Sequence, residues 1–360
     1  MNINPASFIG RGATVNPANR FESTHHETDY EQLAADDELL ADERKTPTIF
    51  LPDNSQTIIR ENDSPDVPFR YSMNPYRGCE HGCVYCYARP GHETLGMNAG
   101  IDFESRILVK HDAAALLRKE LNKRSWQPEA ITISGVTDCY QPAERRFRLT
   151  RGLLEVLLEA RNPLGIITKN SLLLRDLDLL VPLAERRLVS VAISITTLDA
   201  ELARTMEPRT ATPTARLRAI RELSSRGIPV RVMMAPIVPG LTDQEIPELL
   251  AAAKEAGANG AGYVMLRLPW AVAPIFTDWL KTHFPLKADR IEGLIRSLRG
   301  GKLYDASYGS RMRGEGAYAA GVEQTFELFS KKLGLNTPWE SLDTSQFTPP
   351  LLPGGQLRLF

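Results

Sequence analysis

Residues 74–90 read NPYRGCEHGCVYCYARP. Three of the chain's four cysteines, Cys79, Cys83 and Cys86, lie in this one stretch, separated by three and then two residues. Gly78 and Gly82 leave the backbone free to fold tightly around them. Three thiolates on one such loop can take three corners of a metal centre or cluster. Three ligands leave a coordination position open, which implies reactivity, because a structural site is normally closed by four. The spacing favours an iron–sulfur centre over zinc. A zinc ion completed by His81, His92 or Cys139 is the main alternative. A redox dithiol would need only Cys83 and Cys86 and would leave Cys79 idle.

Outward from this stretch the pattern is regular. A first strand is expected near 71–76. Short apolar runs follow at Ile131–Ser134, Gly165–Thr168, Leu188–Ile195, Val230–Ala235 and Ala261–Leu266. They alternate with amphipathic helical stretches over 112–124, 146–161, 171–187, 212–226 and 242–256. Gly227 and Gly257 sit where helix C-caps lead into strands. Six βα units in sequence predict an α/β fold, a partial (β/α)6 barrel of TIM type, with an open doubly wound sheet as the alternative. Active sites of such barrels lie at the carboxyl ends of the strands. Four segments are expected: an acidic, partly flexible N-terminal extension over 1–70, the barrel over 71–285, a C-terminal helical cover over 286–334, and a linker with a terminal QLRLF peptide over 335–360.

The chain has 360 residues, 42% hydrophobic and 24% charged, enough to bury a sizeable core. Four cysteines are too few for a disulfide scaffold. No apolar run approaches the ~18–20 residues that span a bilayer, and the N-terminus lacks the apolar stretch of a signal peptide. A cytoplasmic protein with no membrane partner is therefore expected. The net charge of −1 is uneven: residues 1–70 carry 6 basic and 13 acidic side chains, net −7, and residues 71–360 carry 37 and 31, net +6.

The Cys-x3-Cys-x2-Cys spacing, with the aromatic Tyr85 directly before the last cysteine, resembles the signature of radical S-adenosylmethionine (radical SAM) enzymes. With GVTDCYQPAE, MEPR and APIVPGLTD further along, the pattern over roughly 70–270 resembles the spore photoproduct lyase-like branch, often described as DNA repair photolyases. The resemblance implies that the three cysteines hold a 4Fe-4S cluster whose fourth iron is chelated by S-adenosyl-L-methionine. One electron from a flavodoxin- or ferredoxin-type donor would then cleave the sulfonium, giving methionine and a 5′-deoxyadenosyl radical that abstracts a hydrogen atom.

The same resemblance assigns cofactor-binding roles. Tyr85 stands in the cysteine motif. Gly135, Thr137 and Asp138 occupy the place of the family's glycine-rich, acid-bearing motif, with Asp138 facing the methionine amino group; the usual second glycine and glutamate are absent. Thr168 and Lys169 end the third strand and Ser194 the fourth. Arg209 could hold the methionine carboxylate bidentately. Ile237 belongs to an apolar adenine contact. The plainer readings are a strand-end turn for Asp138, helix capping for Thr168 and Ser194, a surface ion pair for Arg209 and a simple loop at Ile237. Cys139, in the loop after the second strand, is the candidate catalytic residue, a thiol returning a hydrogen atom to a product radical. Spore photoproduct lyase carries such a thiol a few positions earlier in the same loop. A partly buried small residue is the alternative.

DNA lesion repair is the leading substrate reading. Radical modification of RNA, a peptide or a small metabolite is the first alternative, and a non-catalytic zinc protein binding nucleic acid or the sliding clamp the second. Arg145, Arg146, Arg148 and Arg151 could contact phosphates or form an exposed helix face. The terminal stretch Gln356–Phe360, behind a Pro/Gly-rich linker, resembles the peptide by which bacterial repair proteins dock on the sliding clamp.

Overall fold

The computed structural model describes residues 10–22, 46–339 and 341–351. Most of the acidic stretch and the Gln356–Phe360 peptide lie outside these residues.

Among the described residues ten strands form two sheets. The larger holds seven, in the order β10-β9-β8-β7-β6-β3-β2. Its members are β2 (Ile59–Glu61), β3 (Tyr71–Met73), β6 (Ile131–Ile133), β7 (Leu164–Thr168), β8 (Val189–Ser194), β9 (Val230–Ile237) and β10 (Gly260–Met265). From β3 to β10 every pairing is parallel and follows chain order; β2 joins the β3 edge antiparallel. A doubly wound sheet would reverse its strand order midway. The unbroken order instead gives six βα units, as the sequence predicts, with two free edges, so the barrel is partial. The strands are apolar runs because helices cover the outer face and the barrel interior covers the other. Ile131, Ile133, Val189, Val191, Val230 and Val232 are all buried in one cluster that extends into the helix Leu149–Ala160.

The smaller sheet, β1 (Ile49–Pro52), β5 (Arg106–Val109) and β4 (Tyr76–Arg77), was not evident in the sequence. It fixes the chain on either side of the cysteine stretch. Residues 46–61, within the expected partly flexible extension, thus contribute β1 and β2. The helical expectation over 146–161 divides at Arg148, whose φ of 52° separates Glu144–Phe147 from Leu149–Ala160.

The C-terminal cover is helical at Ala288–Ser297, Ser310–Arg313 and Gly316–Lys332. The linker expectation is corrected for 335–351. Leu335 accepts from the Ala261 N–H, Asp343 donates to Arg187 O and Thr348 to Ala160 O, so the segment is tied across the barrel's other end. Among the described residues no helix is long and apolar enough to cross a membrane.

Candidate active site

The cysteine loop leaves β3 and β4 and is folded by long-range contacts. Gly78 and Gly82 adopt φ of 80° and 68°, where a side chain would be strained. A Cβ on Gly82 would lie 2.6 Å from the Glu104 carboxylate. The Cys79 N–H donates to Phe103 O at 2.9 Å, and Cys86 N–H to Cys83 O at 3.2 Å. Arg89 is fully buried and donates to Cys83 O at 2.9 Å, Gly82 O at 3.1 Å and Gly100 O at 3.0 Å, while its ion pair with Glu104 closes at 2.5 Å. One guanidinium thus sets the loop's curvature. From the loop after β6, Gln141 accepts from Glu80 N–H at 2.9 Å and donates to Gly78 O at 3.1 Å.

All three cysteines are free; Cys79 and Cys83 are buried and Cys86 is half-buried. Burial pushes all three thiols up, well above the usual range for Cys79 and Cys83. The residues offered as a fourth zinc ligand are engaged elsewhere. His81 sets Nδ1 3.4 Å from Asp138 and Nε2 3.2 Å from the Asn170 amide. Burial lowers it to about 4, so the ring is neutral. His92 bonds Arg106 O at 2.9 Å. Cys139 is in the main core. Among the described residues no three His, Cys, Asp or Glu side chains surround a point one metal ion could occupy. The donor set, three soft thiolates in apolar surroundings, fits an iron–sulfur cluster with the fourth corner left to another ligand.

Beside the loop lies a charged centre. Glu207, buried, accepts from Tyr85 Oη, from Arg216 and from Thr196 Oγ1 at 2.9 Å, and Lys169 Nζ stands 3.8 Å away. Burial raises the Glu207 carboxyl against the pull of Arg216. Lys169 also donates to Ala235 O at 2.8 Å and sits 5.7 Å over the Tyr85 ring; burial lowers its ammonium to about 8. Tyr85 and Lys169 thus come together at the cysteine loop.

Other expected residues face the protein itself. Asp138 accepts from Thr168 Oγ1 at 2.7 Å, Lys169 N–H at 2.7 Å and Tyr140 N–H at 2.9 Å, which ties the loop after β6 to the end of β7. Thr137 donates to Tyr76 O at 2.7 Å. Gly135 lets its loop approach β3, since a Cβ there would meet Ser72 at 2.9 Å. Ser194 is buried and its carbonyl accepts from Arg216 at 2.9 Å; the next helix is capped by Asp199, so capping is not the role of Ser194. Ile237 is a core residue. Arg209 donates to Gly10 O at 2.9 Å and lies 3.6 Å from Glu80, so it holds the N-terminal segment. Cys139 is 0% exposed and clusters with Tyr140, Leu153 and Leu154. Arg151 is taken up by Asp176 at 3.1 Å and Asp178 at 2.6 Å, not held for phosphate.

Sequence reasoning missed Arg89, Glu104, Glu207 and Arg216. Glu207 stands in the MEPR motif two positions before Arg209, and it is the member that faces the site. Also missed was an exposed rim. Tyr87, next to Cys86, donates to Gly135 O at 2.6 Å, with the Arg267 guanidinium 5.4 Å over its ring. Trp270 lies beyond β10 under Arg20 at 4.3 Å. Tyr87 and Trp270 are 46% and 55% exposed.

The radical SAM superfamily profile matches residues 73–253. An uncharacterized protein of Mycobacterium tuberculosis is 42% identical over 232 residues, covering 64% of this chain and 68% of that protein. An uncharacterized protein of Methanocaldococcus jannaschii is 32% identical over 176 residues, covering 49% and 63%. A solved structure of spore photoproduct lyase complexed with dinucleoside spore photoproduct superposes with a TM-score of 0.55 at 17% identity over 79% of each chain, which shows a shared fold. With six parallel βα units, a three-cysteine loop at their carboxyl ends and this profile match, the chain belongs to the radical SAM superfamily.

Proposed function

We propose that the protein holds a 4Fe-4S cluster on Cys79, Cys83 and Cys86 and uses S-adenosyl-L-methionine to repair a DNA lesion, with the electron supplied by a flavodoxin- or ferredoxin-type donor. The observation that carries this reading is the cysteine loop: three thiols, none in a disulfide, on a backbone pinned by Arg89, at the carboxyl ends of the barrel strands. When bound, the cluster supplies the electron that opens the sulfonium and yields a 5′-deoxyadenosyl radical. The chain's own part is to bind and orient. Lys169 offers a cation to the carboxylate of the methionine end, and Glu207, occupied by Tyr85 and Arg216, holds Tyr85 in place. The Tyr85 ring and the strand ends exclude water from the radical.

The rim supports a nucleic-acid substrate. Tyr87 and Trp270 present aromatic faces on which an unstacked base can lie, and Arg267 places a guanidinium beside Tyr87 for phosphate or base contact. The neighbouring spore photoproduct lyase structure holds a dinucleoside photoproduct on the same fold. The test is an anaerobic assay with dithionite, S-adenosylmethionine and ultraviolet-irradiated or intact DNA. Lesion loss that requires both S-adenosylmethionine and reductant is expected. Formation of 5′-deoxyadenosine with the irradiated DNA unchanged would point to RNA, a peptide or a metabolite as substrate.

A further inference from the structure

Residues 10–20 lack regular secondary structure, yet they lie directly on the cysteine loop. Gly12 is in such close contact that a Cβ there would stand 1.7 Å from Gly82 O. Ala13 is fully buried in the same apolar cluster as Cys83, Val84 and Tyr85, and Val15 and Cys86 both pack against that cluster. The Gly12 and Ala13 N–H groups donate to the two Glu104 carboxylate oxygens, each at 2.8 Å. The same carboxylate is the partner of Arg89, which holds Cys83 O. At the far end Arg20 bonds Glu93 at 2.7 Å.

We infer that residues 10–20 form a strap that seals the cysteine loop from solvent, with Glu104 as the positioning residue joining strap and loop. This inference rests on the cluster reading above for its consequence, although the strap itself does not. A buried carboxylate divided between a guanidinium and two amides is satisfied only when both segments are in place. Releasing the strap leaves two acceptor sites empty and uncovers the apolar surface around Cys83 and Cys86. The strap therefore protects bound iron, in the way outer-shell partners stabilise metal sites.

The test compares the wild type with Gly12→Val, which drives the strap off by collision with Gly82, and Arg20→Ala, which loosens only its outer end. Iron-loaded protein is mixed anaerobically with an iron(II) chelator and loss of visible absorbance is followed. Metal-free protein is treated with N-ethylmaleimide and each cysteine is read by mass spectrometry. In Gly12→Val, iron loss and labelling of Cys83 and Cys86 should be about tenfold faster, while Cys139, in the separate main core, keeps its wild-type rate. Equal rates for Gly12→Val and wild type would overturn the strap. If Cys139 also becomes reactive, the variant has lost its fold and Arg20→Ala decides: faster labelling of Cys83 and Cys86 supports the strap, and unchanged labelling overturns it. A wild type that takes up no iron refutes the cluster reading, and the labelling comparison then judges the strap alone.

Discussion

The loops that follow β3 and β6 both looked like cofactor sites in the sequence, and the fold uses them in opposite ways. In the first, the backbone is held by Arg89, Gln141 and Phe103, and none of the three thiols is in a disulfide. In the second, the side chains themselves are consumed: Asp138 by Thr168 and two backbone amides, Thr137 by Tyr76 O, Cys139 by the core. The first loop is held through its backbone groups, the second through its side chains.

That contrast can be broken most forcefully at the cysteines. Replacing Cys79, Cys83 or Cys86 with Ala should reduce bound iron and 5′-deoxyadenosine to background, read by iron analysis and chromatography, with the fold retained by circular dichroism. Arg89→Met comes next. It leaves the buried Glu104 without its cation, at a cost of about 3–5 kcal/mol in denaturant unfolding, and should lower iron uptake as well.

On the second loop the effects should be structural. Asp138→Ala removes the acceptor for three donors and should cost about 2–3 kcal/mol of stability. S-adenosylmethionine affinity, measured by calorimetry on iron-loaded protein, should change far less; a selective loss of affinity at full stability would restore Asp138 as a cofactor ligand. Cys139→Ala should cost about 1 kcal/mol and leave turnover and product distribution unchanged. A stalled or altered product would reinstate it as hydrogen donor.

The smallest effect concerns pH. Burial holds His92 below its ordinary value near 6.5, despite the bond to Arg106 O that favours the charged ring. The unfolded chain then binds the extra proton first, so stability present above pH ~6.5 is lost as pH falls through the depressed folded value. The thermal midpoint should drop more between pH 7.5 and 5.5 in the wild type than in His92→Gln. Parallel curves would assign the acid sensitivity elsewhere.

The barrel was legible because its strands are continuous apolar runs separated by amphipathic helices, and chain order is also spatial order. Strand ends shifted by one or two residues, and by three at the end of β3; β6 stops at Ile133 because Ser134 turns to a φ of 74°. The cysteine loop was legible because its ligands are local. What binds the loop was not. Glu104 meets Gly12 across 92 residues and Glu207 meets Tyr85 across 122, and each looks in isolation like one more charged residue in an ordinary segment. The small β1-β5-β4 sheet was missed for the same reason: its short strands gain their identity only from distant partners.

The central claim is that the three thiols of the first loop carry the chemistry. The direct measurement is anaerobic purification followed by iron, sulfide and zinc analysis and incubation with S-adenosylmethionine and dithionite, wild type beside Cys83→Ala. The expected result is a brown wild-type protein with matched iron and sulfide that forms 5′-deoxyadenosine, and a colourless variant that forms none. A colourless wild type carrying zinc, or equal 5′-deoxyadenosine from both proteins, would contradict it.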